Sequence, residues 1–503
     1  MRRFHLLMIL FLPLLWSCTS NKVDDQSLIV AISSEPNTMD PRFATDANGM
    51  RLAGLLFNGL VKIGPDLEIV GDAASSWTLE NQTYTFNLNP DLKFSNGRSI
   101  TSEDISFSID EFKKTSCPFH SAFTNIKNSS IEQVTKDQTT FFKVKLTLET
   151  YNAKFITSDL PVFKILPKKE VLELKDKFKD TLIGSGSYTL KDRSSQQIVL
   201  AANPYASEKA SMKLLIFKII KDDFTRYQKL LKGNIDIVQS DIPLDKVSEF
   251  EKRSSEFNIY KTPGLAMTYL LVNLKDPLLQ EHKLRLAIAR GINRSEIIQY
   301  KLEGYAKKAT SILTPANPYF NSDLAEIEYD LDTAKKLIKE LGLEGKVLTL
   351  KTSNNPSSIE NGKVIAHQLN KIGLEIKLQS YEWGTFYGDV KNGNYQLATM
   401  RWVGAIDPDV YRIAFHSDEL PPKGRNRGFY KNKNLDQLLN EGITISDDKK
   451  RKKLYLKIQK IVHQDLPIIP LWYNEQIDVV NKRVKNYVSS KNGDFSPFIH
   501  ATK

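Results

Sequence analysis

The sequence predicts an α/β chain of more than one packed unit, and three observations carry that prediction. The chain has 503 residues, beyond the size at which a single hydrophobic core stops growing. Its first half contains runs in which apolar and polar residues alternate, the period of a half-buried strand. Its second half alternates short strand-like runs with stretches of helical period. A hydrophobic share of 41% with 19 Tyr, 25 Phe and 5 Trp supplies the cores and argues against disorder.

In chain order, TYTFNL at Thr83–Leu88 places Tyr84, Phe86 and Leu88 on one face, and FKVKLTL at 142–148 repeats the pattern. Their polar opposite faces suit sheets covered on one side. GSGSY at 184–188 lacks the Lys-Ser/Thr of a phosphate loop and the third glycine of a dinucleotide loop, so it reads as a turn entering a strand. Asn293-Arg294-Ser295-Glu296 offers a capping box to the helix IIQYKL. Leu331, Ala334, Ile338 and Leu341 form a helical stripe, with Asp330 to cap its start and Gly342 its end. VLTLKT at 347–352 and EIKLQS at 375–380 flank a second stripe, Ile365, Leu369 and Ile372, closed by Gly373. Together these predict a right-handed βαβ unit. KKRKK at 449–453 follows Asp447-Asp448 and reads as the solvated face of a helix with an acidic N-terminus. There are no internal repeats and no second apolar run of membrane-spanning length.

The N-terminus, MRRFHLLMILFLPLLWSC, has Arg2 and Arg3 ahead of an apolar run from Leu6 to Trp16. That run is too short to span a bilayer comfortably, and its layout is that of an export signal. Leu15-Trp16-Ser17-Cys18 resembles a bacterial lipobox, with Trp16 unusual at its position. It predicts a signal peptide over 1–17, a lipid on Cys18 and a polar tether over 18–27. The other reading is an ordinary secretory signal with an incidental cysteine. With Cys18 blocked, Cys117 is the only remaining cysteine, which excludes an intramolecular disulfide.

The formal charge of +11 permits anionic partners, but the lysines are dispersed and no nucleic-acid motif is present. Enzyme readings lack a nucleophile elbow or an H-E-x-x-H helix. The seven His are scattered, and neither Asp418-Glu419 nor His416 with its neighbours forms an acid–base pair or a triad from sequence adjacency. No catalytic residue, metal site or cofactor is expected.

Several phrases then occur in a fixed order: SSEPNTMDPRFATD at 33–46, LLFNGLVKIGPD at 55–66, the block at 73–109 beginning AASSWTLENQTYTF, IGSGSYTL, LAANPY, LLKGNIDIV, LLVNLKDPLLQEHKLRLAIARGINRSEII at 270–298 and IIPLWYNEQIDVV at 468–480. This series resembles the extracellular solute-binding proteins of peptide, dipeptide and nickel ABC importers (family 5), across nearly all of the mature chain. The resemblance implies a two-lobed periplasmic-binding-protein-like fold of type II. Lobe 1 would comprise 28–58, 183–266 and 473–503, with an extra subdomain at 59–182, and lobe 2 would comprise 267–472. The hinge would cross near 263–269 and 471–475. It implies a monomeric, exported, lipid-anchored protein on the periplasmic or extracellular face. That protein captures di- to oligopeptides and delivers them to membrane permease subunits served by separate ATPases. The alternative is the same scaffold around a metal chelate, muropeptide or oligosaccharide.

The resemblance also implies site residues. Glu35 and Asn37 match the first-strand segment lining the cleft, Tyr269 the segment crossing into the second lobe, and Trp383 and Trp402 its aromatic walls. Gly404 follows Trp402 in the strand that ends at the ligand. Ala405 stands where the family carries the acid that holds a peptide ammonium. Asp407, two residues on, then has two readings: a displaced anchor, or a cap or turn residue before Pro408.

Overall fold

The structure is a computed structural model that describes residues 26–422 and 424–503. The signal peptide, Cys18 and most of the tether lie outside the described residues. Strand β1 (Ser27–Ile32) is followed by a small hairpin, β2 (Val61–Ile63) and β3 (Ile69–Gly71). An antiparallel sheet then forms from β4 (Ala74–Glu80), β5 (Thr83–Leu88), β6 (Ile126–Lys136) and β7 (Thr139–Leu148), in the order β4-β5-β7-β6. Tyr84, Phe86 and Leu88 of β5 and Val144, Leu146 and Leu148 of β7 are buried, as the alternation predicts. Strands β8 (Tyr188–Arg193), β9 (Gln197–Ala202), β10 (Leu214–Ile219) and β11 (Ile237–Gln239) return the chain to β1. Gly184 and Gly186 form the turn before β8. A Cβ at either would lie 2.0 or 2.3 Å from a carbonyl oxygen of the helix Ala47–Leu56, so only glycine permits that approach.

The two lobes share one long sheet. Strand β12 (Phe257–Val272) runs from the first lobe into the second, where β13 (Ala306–Lys308), β14 (Val347–Ser353), β15 (Glu375–Tyr381) and β16 (Leu397–Val403) lie. Strand β17 (Ile468–Asn481) runs back beside it. The strand order is β15-β14-β16-β12-β17-β11-β1-β10-β9-β8, with β13 also on β17. Between Pro263 and Ala266 the β12–β17 register breaks. Gly264 sits in that break, where a Cβ would lie 2.8 Å from the Asn474 carbonyl oxygen. On one side of the break, β1 and the four-stranded sheet contribute to a common core around Phe86, Phe94, Phe155 and Phe163. On the other, alternate residues of β12 enter separate cores: Leu270 and Val272 join one face, while Met267, Tyr269 and Leu271 join the other.

The helix over Leu331–Glu340 starts where Asp330 accepts the Thr333 N–H at 2.9 Å, and Gly342 follows its end at φ 65°. The βαβ unit forms with β14 and β15 parallel and the helix Pro356–Lys371 between them. The capping box is half formed. Asn293 accepts the Glu296 N–H at 3.1 Å, but its own N–H donates to Gln368 Oε1 at 2.9 Å rather than to Glu296. The Gln368 amide also donates to Glu296 at 3.1 Å. A neighbouring helix therefore supplies the reciprocal partner.

Candidate ligand-binding cleft

Strand β16 brings Trp402 beside β12, where Trp402 pairs with Met267. The Tyr269 and Trp402 rings lie stacked, with centroids 6.5 Å apart and planes 16° from parallel. Tyr269 is buried, and that burial pushes its phenol above the ordinary value. Trp383 opens the helix Trp383–Asn392, whose N-cap is Glu382, and is 54% exposed. One turn later Tyr387 stacks beneath it at 5.4 Å. Arg427 joins the two aromatic pairs. Its Nη2 donates to Tyr387 Oη at 2.6 Å, its guanidinium lies 4.8 Å from that ring centre, and it lines a small cavity with Tyr269, Trp402, Phe415 and Tyr430. An exposed aromatic edge backed by a cation is a wall that accepts mixed apolar and polar groups. Tyr387 and Arg427 were not anticipated from the sequence. The i, i+4 spacing from Trp383 would have found Tyr387, but nothing local marks Arg427.

Gly404 ends β16. Its N–H donates to the Leu265 carbonyl at 3.1 Å, at the register break, and its φ is 71°. Glu35 and Asn37 are held within the first lobe. Glu35 pairs with Arg193 at 3.0 Å, and the Asn37 N–H donates to Asp46, the N-cap of the helix Ala47–Leu56, at 3.1 Å.

Asp407 is 6% exposed. Arg451 grips both its oxygens, at 2.8 and 2.9 Å, and Thr157 donates a further hydrogen bond. The Asp409 N–H donates to the same carboxylate at 2.8 Å. Burial acts to lower the Arg451 pKa, and the Asp407 carboxylate reverses this and raises it. The basic run at 449–453 is therefore not a solvated face throughout, which corrects the sequence reading. In the helix Asp448–Asp465, Arg451 shares the buried stripe of Tyr455, Ile458 and Val462, a spacing visible in the sequence but masked by the flanking lysines. Thr157 belongs to the segment after β7. Beside it, the Ala153 N–H donates to the Ile443 carbonyl at 2.9 Å. The segment after β7 thus touches both the turn after β16 and the residue that follows the helix Lys433–Gly442.

Among the described residues, no group of three or more His, Cys, Asp or Glu could hold a metal, and no helix is long and apolar enough to cross a membrane.

Two lobes threaded by a pair of long strands, with an aromatic wall at the crossing, define a two-lobed binding protein. The chain belongs to the bacterial extracellular solute-binding proteins, family 5, whose model matches residues 68–419. It is 25% identical over 498 residues to the dipeptide-binding protein of Escherichia coli K12, covering 93% of this chain and 92% of that one. Among solved structures, it superposes on the ABC transporter substrate-binding protein CtaP of Listeria monocytogenes with a TM-score of 0.83 at 27% identity, covering 95% and 99% of the two chains. It superposes on the periplasmic binding protein DppA of Helicobacter pylori, in complex with the peptide STSA, with a TM-score of 0.77 at 26% identity over 95% and 98%.

Proposed function

We propose that this chain is the substrate-binding lipoprotein of an ABC importer, which encloses di- to oligopeptides between its lobes and passes them to a membrane permease. It performs no chemistry of its own, acts as a monomer, and is tethered through Cys18 on the periplasmic or extracellular face. The lobes are assigned as 28–58, 183–266 and 473–503 against 267–472, with the subdomain at 59–182. The carrying observation is the crossing of β12 and β17. Trp402 and Gly404 lie close to the register break at Pro263–Ala266, and Tyr269 borders a second shift at Thr268–Tyr269, so a hinge there would close the aromatic wall over a guest. Peptide binding by the Escherichia coli and Helicobacter pylori relatives supports peptides as that guest.

In this reading Trp383, Trp402, Tyr269 and Gly404 line the ligand from lobe 2, and Glu35 and Asn37 border it from lobe 1. Asp407, with both oxygens engaged by Arg451, serves as a structural residue rather than an ammonium anchor. That engagement, with Ala405 at the neighbouring position, also favours a second reading in which the guest lacks a free ammonium, such as a metal chelate or a muropeptide. Thermal unfolding with di-, tri- and oligopeptide libraries tests the first reading. Ligand at 100 times Kd stabilises by about 2.7 kcal/mol. A complete absence of shift across the libraries would remove peptides as the cargo and leave the second reading.

A further inference from the structure

Charge is polarised along the strands of the first lobe. Strands β1, β10 and β11 run parallel, so their starts lie at one end of the sheet and their ends at the other. The segments leading into β10 and β11 carry Lys209, Lys213 and Lys232. The segments leaving the three strands carry Glu35, Asp222, Asp223 and Asp241 against Lys221. Hydrogen bonds tie the entry end into one surface. The Leu214 N–H donates to the Gln26 carbonyl at 3.1 Å, and the Ser211 N–H to the Ile499 carbonyl at 2.8 Å. Lys485 and Thr502 exchange backbone hydrogen bonds at 2.8 and 3.0 Å. Arg483 Nη2 donates to the Gly233 carbonyl at 2.7 Å, which brings the turn after Lys232 beside the chain leaving β17.

Lys209, Lys213, Lys232 and Lys485 are all exposed, and none forms an ion pair among the described residues. The Lys209 and Lys485 ammonium groups donate to the carbonyls of Pro204 and Lys482, at 2.6 and 2.8 Å. The carboxylates at this end are already taken. Asp236 is buried and accepts from Arg483 at 2.6 Å. Glu208 pairs with Lys62 at 2.8 Å and His500 at 2.9 Å, and Glu256 with Arg253 at 2.8 Å. The tether proposed for residues 18–27 joins β1 at this end and brings Lys22, Asp24 and Asp25 to it. Fully extended, the chain from Cys18 to Gln26 reaches at most about 30 Å, so a lipid on Cys18 holds this end near the bilayer. The register break at Pro263–Ala266 lies at the other end. Strands β12 and β17 run to it from the pair Phe257–Asn481, which sits beside the start of β11. The six residues of β1 separate the two ends by about 20 Å, beyond the ~8 Å over which physiological salt transmits charge.

We propose that this lysine-bearing base of the first lobe docks on an anionic lipid surface, and so holds the waiting protein with its cleft turned away from the bilayer. The proposal rests on the reading of Cys18 as a lipid anchor, which makes a bilayer the large anion nearest the base. Anchor and basic patch then act at the same end of the molecule. The acidic exit end is repelled by the same lipids, so the charge distribution orients the lobe as well as attracting it. Handing cargo to a permease requires the base to lift from the lipid.

The test uses the mature chain carrying C18S, so that no lipid contributes and vesicle binding reports the base alone. Co-sedimentation at low salt compares vesicles of phosphatidylcholine with vesicles containing roughly one-third phosphatidylglycerol. Binding should require the anionic lipid and should fall as salt is raised. K209Q, K213Q, K232Q and K485Q should each weaken it about fivefold, and the quadruple variant should bind no better than wild type binds phosphatidylcholine. The same loss of charge on the second lobe, K335Q/K336Q/K339Q/K371Q around one shallow recess, should change it less than about twofold, because those lysines lie away from the base. Hydrogen exchange on the vesicles should protect the backbone around 211–214 and 482–485 and leave Trp383 unprotected. Binding without anionic lipid, or equal weakening by the two quadruple variants, overturns the docking face. Tighter binding to soluble polyphosphate than to vesicles of equal phosphate content assigns the base to an anionic polymer and overturns the lipid assignment. Peptide-induced thermal shifts of the base variant and the mass of exported Cys18 judge peptide capture and the anchor separately, so either reading can fail without deciding the vesicle result.

Discussion

Two neighbouring stretches, the end of β16 and the turn that follows it, have opposite fates. From Arg401 to Gly404 the chain is largely open, with Val403 70% exposed and the Arg401 side chain without a hydrogen-bond or ion-pair partner among the described residues. From Asp407 to Asp409 it is buried, and the Asp407 carboxylate is saturated by Arg451, Thr157 and the Asp409 N–H. The difference separates a surface that keeps bonding capacity for a guest from one that spends it on the protein. Acidic character alone does not mark a ligand anchor; unsatisfied bonding beside a hinge is the more informative sign.

The largest effect that would break this comparison lies at Asp407. Asp407→Ala leaves Arg451, whose side chain is 3% exposed, as a buried unpaired cation, at a cost of about 3–5 kcal/mol. Denaturant unfolding should show that loss. Ligand affinity, measured at a temperature where the variant is folded, should stay within about twofold of wild type (roughly 0.4 kcal/mol). A variant that remains stable but loses ligand would make Asp407 the anchor. Replacing Asp407 and Arg451 together with Leu and Met should recover much of the stability, since a hydrophobic pair of similar volume often matches a buried ion pair.

A smaller effect concerns pH at the same junction. Burial, and then the charge of Asp407, pushes Asp409 up to about 7, and its Oδ1 finds no hydrogen-bond partner among the described residues. Lys154, Arg412 and Arg451 oppose the shift without removing it. Burial likewise pushes Asp159 up to about 6, against Lys154 at 3.7 Å. Both carboxyls hold protons more tightly in the folded chain. Near pH 4 and below, the contribution is therefore fully present, and it is lost as pH rises through about 6 to 7. Asp409→Asn mimics the protonated form, so it should flatten this slope and stabilise the protein by roughly 1–3 kcal/mol at pH 8. Unfolding measured from pH 4 to pH 8 checks it. An unchanged slope would mean that Asp409 ionises freely, and that the junction is no more closed than the cleft.

What the sequence made legible divides along the same line. The helix capped by Asp330, the βαβ unit and the alternating strands β5 and β7 were readable because periodicity and caps are local. Trp402 and Tyr269 could be named from resemblance, but their stacking depends on the β12–β16 register. Arg427 reaches Tyr387 from 40 residues away, and Arg51 meets the crossing strands through Gly493 and Gln476. Such convergence leaves no local trace. Arg451 is the intermediate case. Its spacing to Tyr455, Ile458 and Val462 put it on a buried stripe, while composition alone placed it in a solvated run.

The smallest effect probes the open end of the comparison. Gly404 has φ 71°, and a Cβ built there meets no atom within 4 Å. Substitution thus meets backbone strain and no steric clash. Gly404→Ala should cost about 1 kcal/mol, the penalty of a left-handed conformation for an L-residue. It should leave the N–H bond to Leu265 in place, because that bond ends the strand beside the register break. Any loss of ligand beyond what this strain explains would then report a methyl group intruding on a guest in the open space. Calorimetric titration of the variant alongside its unfolding separates the two. An affinity that falls more than about tenfold (1.4 kcal/mol) while stability falls by only about 1 kcal/mol places the guest against Gly404. Parallel changes in both place it elsewhere on the wall.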